Sequence, residues 1–142
     1  MIEIAYTSRA THLMSALELE EMLRQAREFN RQNDITGMLL YKDGSFFQVI
    51  EGKGEVVETL YLSIQQDLRH FNVKTLYQRP LAQRNFPNWQ MGFFSLNENA
   101  DQVEKLNTVP GYFPFDLSDQ LLDQWIKTST AKLLIQSFRQ FA

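Results

Sequence analysis

Tyr6, Asn30 and Gln48 are the side chains whose types and positions point to chemistry in this sequence. Gln48 lies in the middle of Ser45-Phe-Phe-Gln-Val-Ile-Glu-Gly52, one of the most apolar stretches of the chain. Side chains alternate along a strand, so Phe46, Gln48 and Ile50 share one face and Phe47, Val49 and Glu51 the other. A carboxamide flanked by Phe46 and Ile50 on a core face needs hydrogen-bond partners there, and lacking them costs about 1–3 kcal/mol. Backbone groups could supply those partners, or the amide could be held dry to meet a ligand. Asn30 puts a second amide beside a buried helix stripe, and Tyr6 puts a phenol on an inward strand face. None of the three is a strong acid, base or nucleophile at neutral pH. Hydrolysis or acyl transfer would want a histidine, a carboxylate pair or an activated hydroxyl beside them, and the trio has none. The chemistry indicated is recognition of a flat heterocycle with polar edges.

The elements that must position this trio follow from hydrophobic periodicity. Residues 2–8 alternate and begin β-branched, which predicts a first strand with Ile2, Ile4 and Tyr6 on one face. Ser15-Ala-Leu-Glu18 is a capping box, and Leu19, Met22, Leu23, Ala26 and Phe29 form the apolar stripe of the helix it opens. Asn30 falls four residues after Ala26 and seven after Leu23, on or beside that stripe. A second strand over 35–41 leads through the tight turn Lys42-Asp-Gly44 into the strand holding Gln48. Val57, Leu60, Tyr61, Ile64 and Leu68 mark a second amphipathic helix, with Arg69 and His70 at its end. A fourth strand is expected from Val73 to about Ala82, a loop over 85–89 and a fifth strand from Met91 to Leu96.

This β-α-β-β-α-β order with an added strand predicts an α+β, ferredoxin-like fold: an antiparallel sheet with two helices on one face. Strands two and three are apolar on both faces, so the opposite face also needs cover. The C-terminal region is expected to supply it, with a short helix near 101–106, a linker over 111–114 and a long helix capped by Ser118 that carries Leu122, Trp125, Ile126, Leu133 and Phe141. Residues 1–97 then form the ligand-binding domain and 98–142 a helical extension of the same globule.

Composition narrows the classes further. At 142 residues the chain is long enough for one domain with a real core. It has no cysteine, which removes disulfides, thiol catalysis and thiolate metal sites, and its two histidines make a zinc site a poor expectation. A net charge of −3 argues against a protein that grips nucleic acid through phosphates. Eleven Phe and five Tyr are enough to build flat apolar walls. The N-terminus has no basic-then-apolar leader, and no apolar run approaches the ~20 residues of a membrane span. A cytoplasmic protein without membrane or nucleic-acid contacts is expected.

Four motifs carry a family resemblance: Asn30-x5-Thr36-Gly37, Phe47-Gln48-x-x-Glu51-Gly52, Asp67-x-Arg69-His70 and Phe86-x-x-Trp89-x-Met91. In this order and spacing they closely resemble the blue-light-using flavin (BLUF) domain over residues 2–96. Residues 97–142 are similar to the two-helix extension of its short, single-domain members. The resemblance implies FAD, with FMN or riboflavin as alternatives, and an isoalloxazine ring between the two helices. It implies that Tyr6 is the photoactive tyrosine and that Gln48 bridges it to the flavin. Asn30 pairs with the C4 carbonyl and N3 edge, and Arg69 lies near the C2 carbonyl. Phe29 stands where some members place a histidine, and Ser8 and His70 are further flavin-contact candidates. Trp89 and Met91 match positions linked to signalling. In the implied mechanism the excited flavin takes an electron and then a proton from Tyr6, Gln48 relays the proton, and the Gln48 amide ends rotated or tautomerised.

The resemblance thus implies a photoreceptor without catalysis of its own, acting through an unidentified downstream protein, with self-association also expected. The amphipathic segment 118–141 could mediate such contacts or be consumed in covering the sheet. Each residue also has a plain reading: Tyr6 as a half-buried strand residue, Asn30 as a helix-end residue, Arg69 and His70 as complements to a helix dipole, Trp89 and Met91 as core filling. Two other functions share the fold. An RNA-recognition module would display aromatics on one face of its third strand, whereas Phe46 and Phe47 point oppositely. A small acyl-phosphate hydrolase would use an arginine-rich loop after strand one, of which Ser8-Arg9-Ala-Thr11 is a faint echo.

Overall fold

The computed structural model describes residues 1–88 and 90–95. The elements run β1 (Ile2–Ala10), α1 (Ala16–Gln32), β2 (Thr36–Lys42), β3 (Ser45–Gly52), α2 (Gly54–Gln65), β4 (His70–Pro80) and β5 (Gly92–Ser95). They build one five-stranded sheet of order β4-β1-β3-β2-β5. β1 to β4 pair antiparallel and β5 adds parallel to β2. Strand order 4-1-3-2 with two crossing helices is the expected ferredoxin-like arrangement. The short C-terminal helix, the linker and the long helix expected beyond residue 97 lie outside the described residues.

Local chemistry accounts for the ends of these elements. Ser15 accepts from the Glu18 N–H while the Glu18 carboxylate accepts from the Ser15 N–H, so the predicted capping box starts α1. Asp43 and Gly44, both at positive φ, form the two-residue turn that joins β2 to β3, with Lys42 and Ser45 directly paired. α2 stops at Gln65, earlier than its periodicity predicts: Gln66 and Asp67 close it with N–H bonds to Ser63 and Ile64, and the Asp67 carboxylate accepts from the Arg69 N–H. Leu68 is therefore 89% exposed rather than buried, Arg69 lies in the turn, and His70 begins β4.

Alternation holds on both faces of the central strands. Ile4, Tyr6, Leu39, Tyr41, Phe46 and Ile50 pack under Leu19 and Leu23 of α1 and Val57 and Tyr61 of α2. Ala5, Met38, Leu40, Phe47 and Val49 fill the far face and are equally buried. A Cβ at Gly37 would stand 2.1 Å from the Val49 carbonyl oxygen, so β2 and β3 can approach here only with glycine. Gly37→Ala is expected to cost about 3 kcal/mol or more, because the neighbour that must yield is backbone. Thermal unfolding would read this as a large fall in Tm, or as loss of soluble protein; an unchanged Tm would contradict it.

Candidate functional site

Directly opposite one another on β1 and β3, Tyr6 and Gln48 form a cross-strand pair, with Leu39 of β2 on the other side of Gln48. The pairing of β1 with β4 shifts register between Ala5 and Tyr6 and again between Thr7 and Arg9, so irregularities flank Tyr6 in the β4 ladder. Such bulges re-aim side chains. The Tyr6 hydroxyl donates to the Gln48 Oε1, and both residues are buried. The Gln48 Nε2 faces the Met91 thioether at 3.5 Å, a weak acceptor for an amide donor. Burial, with Tyr61 and Asp67 nearby, drives the Tyr6 phenol pKa far above its ordinary value. The ring stays protonated across the neutral range.

Above this pair lies a cavity of about 360 Å³, within the range of small-molecule sites. α1 walls it with Met22, Leu23, Ala26 and Phe29, and α2 with Leu60 and Ile64; Asn30, Arg69 and His70 supply polar edges. Phe29 is 41% exposed, a cavity-wall residue rather than the core residue its stripe predicts. Asn30 is buried as expected, and its Nδ2 donates to the Gln90 carbonyl. Arg69 forms a bidentate pair with Asp67, at 3.0 Å from Nε and 2.6 Å from Nη2 to Oδ2, and holds that carboxyl below its usual range. The His70 Nε2 is 2.6 Å from the Ile64 carbonyl, which only accepts. Nε2 therefore carries the proton, and in neutral His70 the Nδ1 accepts from the Ser8 hydroxyl at 2.8 Å. Ser8 is thus a support behind His70 and does not line the cavity.

Tyr6, Phe29, Asn30, Gln48, Arg69, His70 and Met91 all come together on one cavity; Trp89 lies outside the described residues. Arg27 supports the site from outside the cavity lining, and no sequence expectation placed it there. One turn before Asn30, it donates Nε and Nη2 to the Met91 carbonyl at 3.0 and 2.8 Å, and loss of solvent lowers its pKa to about 10. Its spacing of three from Asn30 was the available signal. Arg9, the faint echo of an anion loop, lies within β1 and donates to the Ser45 hydroxyl. Among the described residues no three His, Asp or Glu side chains group as a metal site, and no helix is long and apolar enough to cross a membrane.

Apolar walls, the Asn30 and Gln48 amides, and a Gln48 N–H whose partner among the described residues is a thioether suit a planar, hydrogen-bonding heterocycle. The model for BLUF, "Sensors of blue-light using FAD", matches residues 1–92. The chain belongs to the BLUF family. It is thus a member of a family of flavin-based blue-light sensors. The photoactivated adenylate cyclase subunit beta of Euglena gracilis is 44% identical over 84 residues, 59% of this chain and 10% of that protein. This BLUF chain spans about a tenth of the length of that curated relative. The ground-state structure of BlsA is 35% identical with a TM-score of 0.64, covering 87% of this chain and 83% of that one. Klebsiella pneumoniae BlrP1, solved with FMN and cyclic diGMP, is 25% identical with a TM-score of 0.75, covering 99% of this chain and 34% of that one.

Proposed function

We propose that this chain is a photoreceptor of the short BLUF type that seats the isoalloxazine ring of FAD in the cavity between α1 and α2 and signals by changing a hydrogen bond of Gln48. The observation that carries this reading is the buried Tyr6–Gln48 contact, with the Gln48 Nε2 turned toward the Met91 sulfur instead of a full acceptor. When bound, the flavin supplies light absorption and a one-electron oxidant in its excited state. Tyr6 gives up the electron and then its hydroxyl proton, for which the Gln48 Oε1 is the bonded acceptor. Gln48 passes the proton on; the electron and a proton then return to Tyr6, which regains its hydroxyl, and the Gln48 amide is left reoriented with its donor facing a different acceptor. Asn30 and Arg69 orient the ring edge, Phe29 closes its outer side, and the Ser8-supported His70 flanks Tyr6, 6.4 Å between ring centroids.

A rearranged hydrogen bond is worth about 1–3 kcal/mol, enough to bias a two-state element. The outputs we assign are contact with another protein and self-association, without catalysis, through residues 98–142. FAD is the expected cofactor, and because the cavity walls and polar edges suit the ring common to all three, FMN or riboflavin could occupy the same site. Purified from flavin-replete cells, the protein is expected to be yellow and to shift its absorption reversibly to the red under blue light. Chromatography of the released cofactor against FAD, FMN and riboflavin standards identifies the tail. A colourless chain that refuses all three on reconstitution would end this reading.

A further inference from the structure

Thr36, Glu51 and Phe86 belong to the sequence motifs, yet none of them lines the cavity. Glu51 follows Gln48 by three residues on β3 and so faces the opposite side of the sheet. There it is 0% exposed, beside its cross-strand partner Glu3, also 0% exposed. Both Glu51 oxygens hold the loop that leaves β4. Oε2 accepts from the Asn85 N–H at 2.8 Å, while Oε1 accepts from the Phe86 N–H at 2.7 Å and the Thr36 hydroxyl at 2.9 Å. Arg84 donates to the Thr36 hydroxyl and to the Asp34 carbonyl, each at 2.8 Å. Glu3 accepts from the Asn85 Nδ2 at 2.7 Å and from the Arg79 Nε. Two buried carboxylates therefore grip a single loop residue.

That loop then turns to the helix side of the sheet. Its Gln90 carbonyl accepts from Asn30, its Met91 carbonyl accepts twice from Arg27, and its Met91 sulfur meets Gln48. The loop is thus fixed at both ends, to the far face by carboxylates and to the cavity by α1. Stability alone gives a poor account of the far-face anchor. Burying a carboxylate is expensive, apolar replacements of buried ion pairs are often no less stable, and burial pushes the Glu51 carboxyl above its ordinary pKa despite the N–H bonds it accepts. What the carboxylate offers that an apolar residue cannot is a fixed position for two successive backbone N–H groups.

We infer that Glu51, braced by Glu3, is a positioning residue for the light-driven rearrangement: it fixes, through the sheet, the loop that presents Met91 to Gln48. This rests on the function proposed above. In the full-length, flavin-loaded chain, Glu51→Gln must turn an amide N–H toward one backbone N–H that the carboxylate accepted, so one anchor bond is lost. The variant is expected to keep its flavin and to change the rate of dark recovery after illumination at least about five-fold. Met91→Ala is expected to change that rate too, and adding Glu51→Gln to it to change the rate by less than about two-fold, since both act through one contact. Recovery of Glu51→Gln within two-fold of the unaltered chain, or rate factors that multiply in the double variant, would reduce Glu51 to scaffolding and overturn the inference. Should Glu51→Gln not accumulate as soluble protein, Asn85→Ala, which removes only the bond to Glu3, takes its place under the same criteria. An unaltered chain with no red shift refutes the underlying site reading instead, before any variant is compared.

Discussion

With phenylalanine in place of Tyr6, the flavin-loaded chain is expected to stay yellow and to show no red shift under blue light. The ring itself is retained, so its packing 5.4 Å from the Tyr61 centroid is undisturbed and the cavity keeps its floor. What disappears is the hydroxyl whose hydrogen bond holds the Gln48 Oε1. Leaving that buried oxygen without a donor costs about 1–3 kcal/mol, which lowers Tm without unfolding a domain of this size. The photochemical loss is far larger than the stability loss, because Tyr6 is the electron and proton source in the proposed sequence. Burial raises its pKa, so the phenol keeps its proton in the dark at neutral pH and has one to give in the proposed sequence. The sign of the pH dependence follows. A buried phenol that holds its proton more tightly than the unfolded chain contributes stability that is intact below about pH 10 and declines above it. The dark spectrum should therefore be unchanged across the neutral range and up to that point. A full-sized red shift in Tyr6→Phe would remove Tyr6 from the mechanism.

Much of this arrangement was legible because it rests on local periodicity. A two-residue repeat places Tyr6 with Ile4 and Gln48 between Phe46 and Ile50, and a two-residue turn at Asp43–Gly44 sets the register of β2 against β3. The capping box at Ser15 fixes the start of α1, and counting along its stripe lands Asn30 where it is buried. Periodicity failed at α2: Leu68 continues the Leu60–Ile64 spacing, but Asp67 captures the Arg69 N–H and turns the chain into β4 three residues earlier than expected. The far-face carboxylates were beyond such reasoning. Alternation puts Glu51 with Phe47 and Val49 on a face that needs cover, but nothing local says what a carboxylate there would bind. The return of residues 84–86 over the sheet supplies the carboxylates' partners, and no local pattern announces a contact 82 residues apart such as Asn85 to Glu3. Arg27 escapes local reasoning for the same reason, since its partner carbonyl lies 64 residues away.

Gln48→Leu is expected to bind flavin and to give less than about a tenth of the normal red shift. Leucine roughly matches the amide in volume and sits between Tyr6 and Leu39 without strain, so the sheet should tolerate it. The variant leaves the Tyr6 hydroxyl buried with no carbonyl to accept its hydrogen bond, a cost again of about 1–3 kcal/mol. Tyr6 can still surrender an electron in such a site, but its proton has no acceptor at the distance Gln48 held, so the charge returns along the route it came. No side chain is left reoriented at the end of the cycle, and the contact between residue 48 and the Met91 sulfur no longer exists to be changed. This separates the two roles. Tyr6→Phe removes the source of electron and proton, Gln48→Leu removes the group that stores the outcome, and the double variant should lose no more than either alone. Measured by steady-state difference spectra on chains matched for flavin content, a Gln48→Leu variant that still shifts to the red by half the normal amount would show that the memory of illumination lies elsewhere than in this amide.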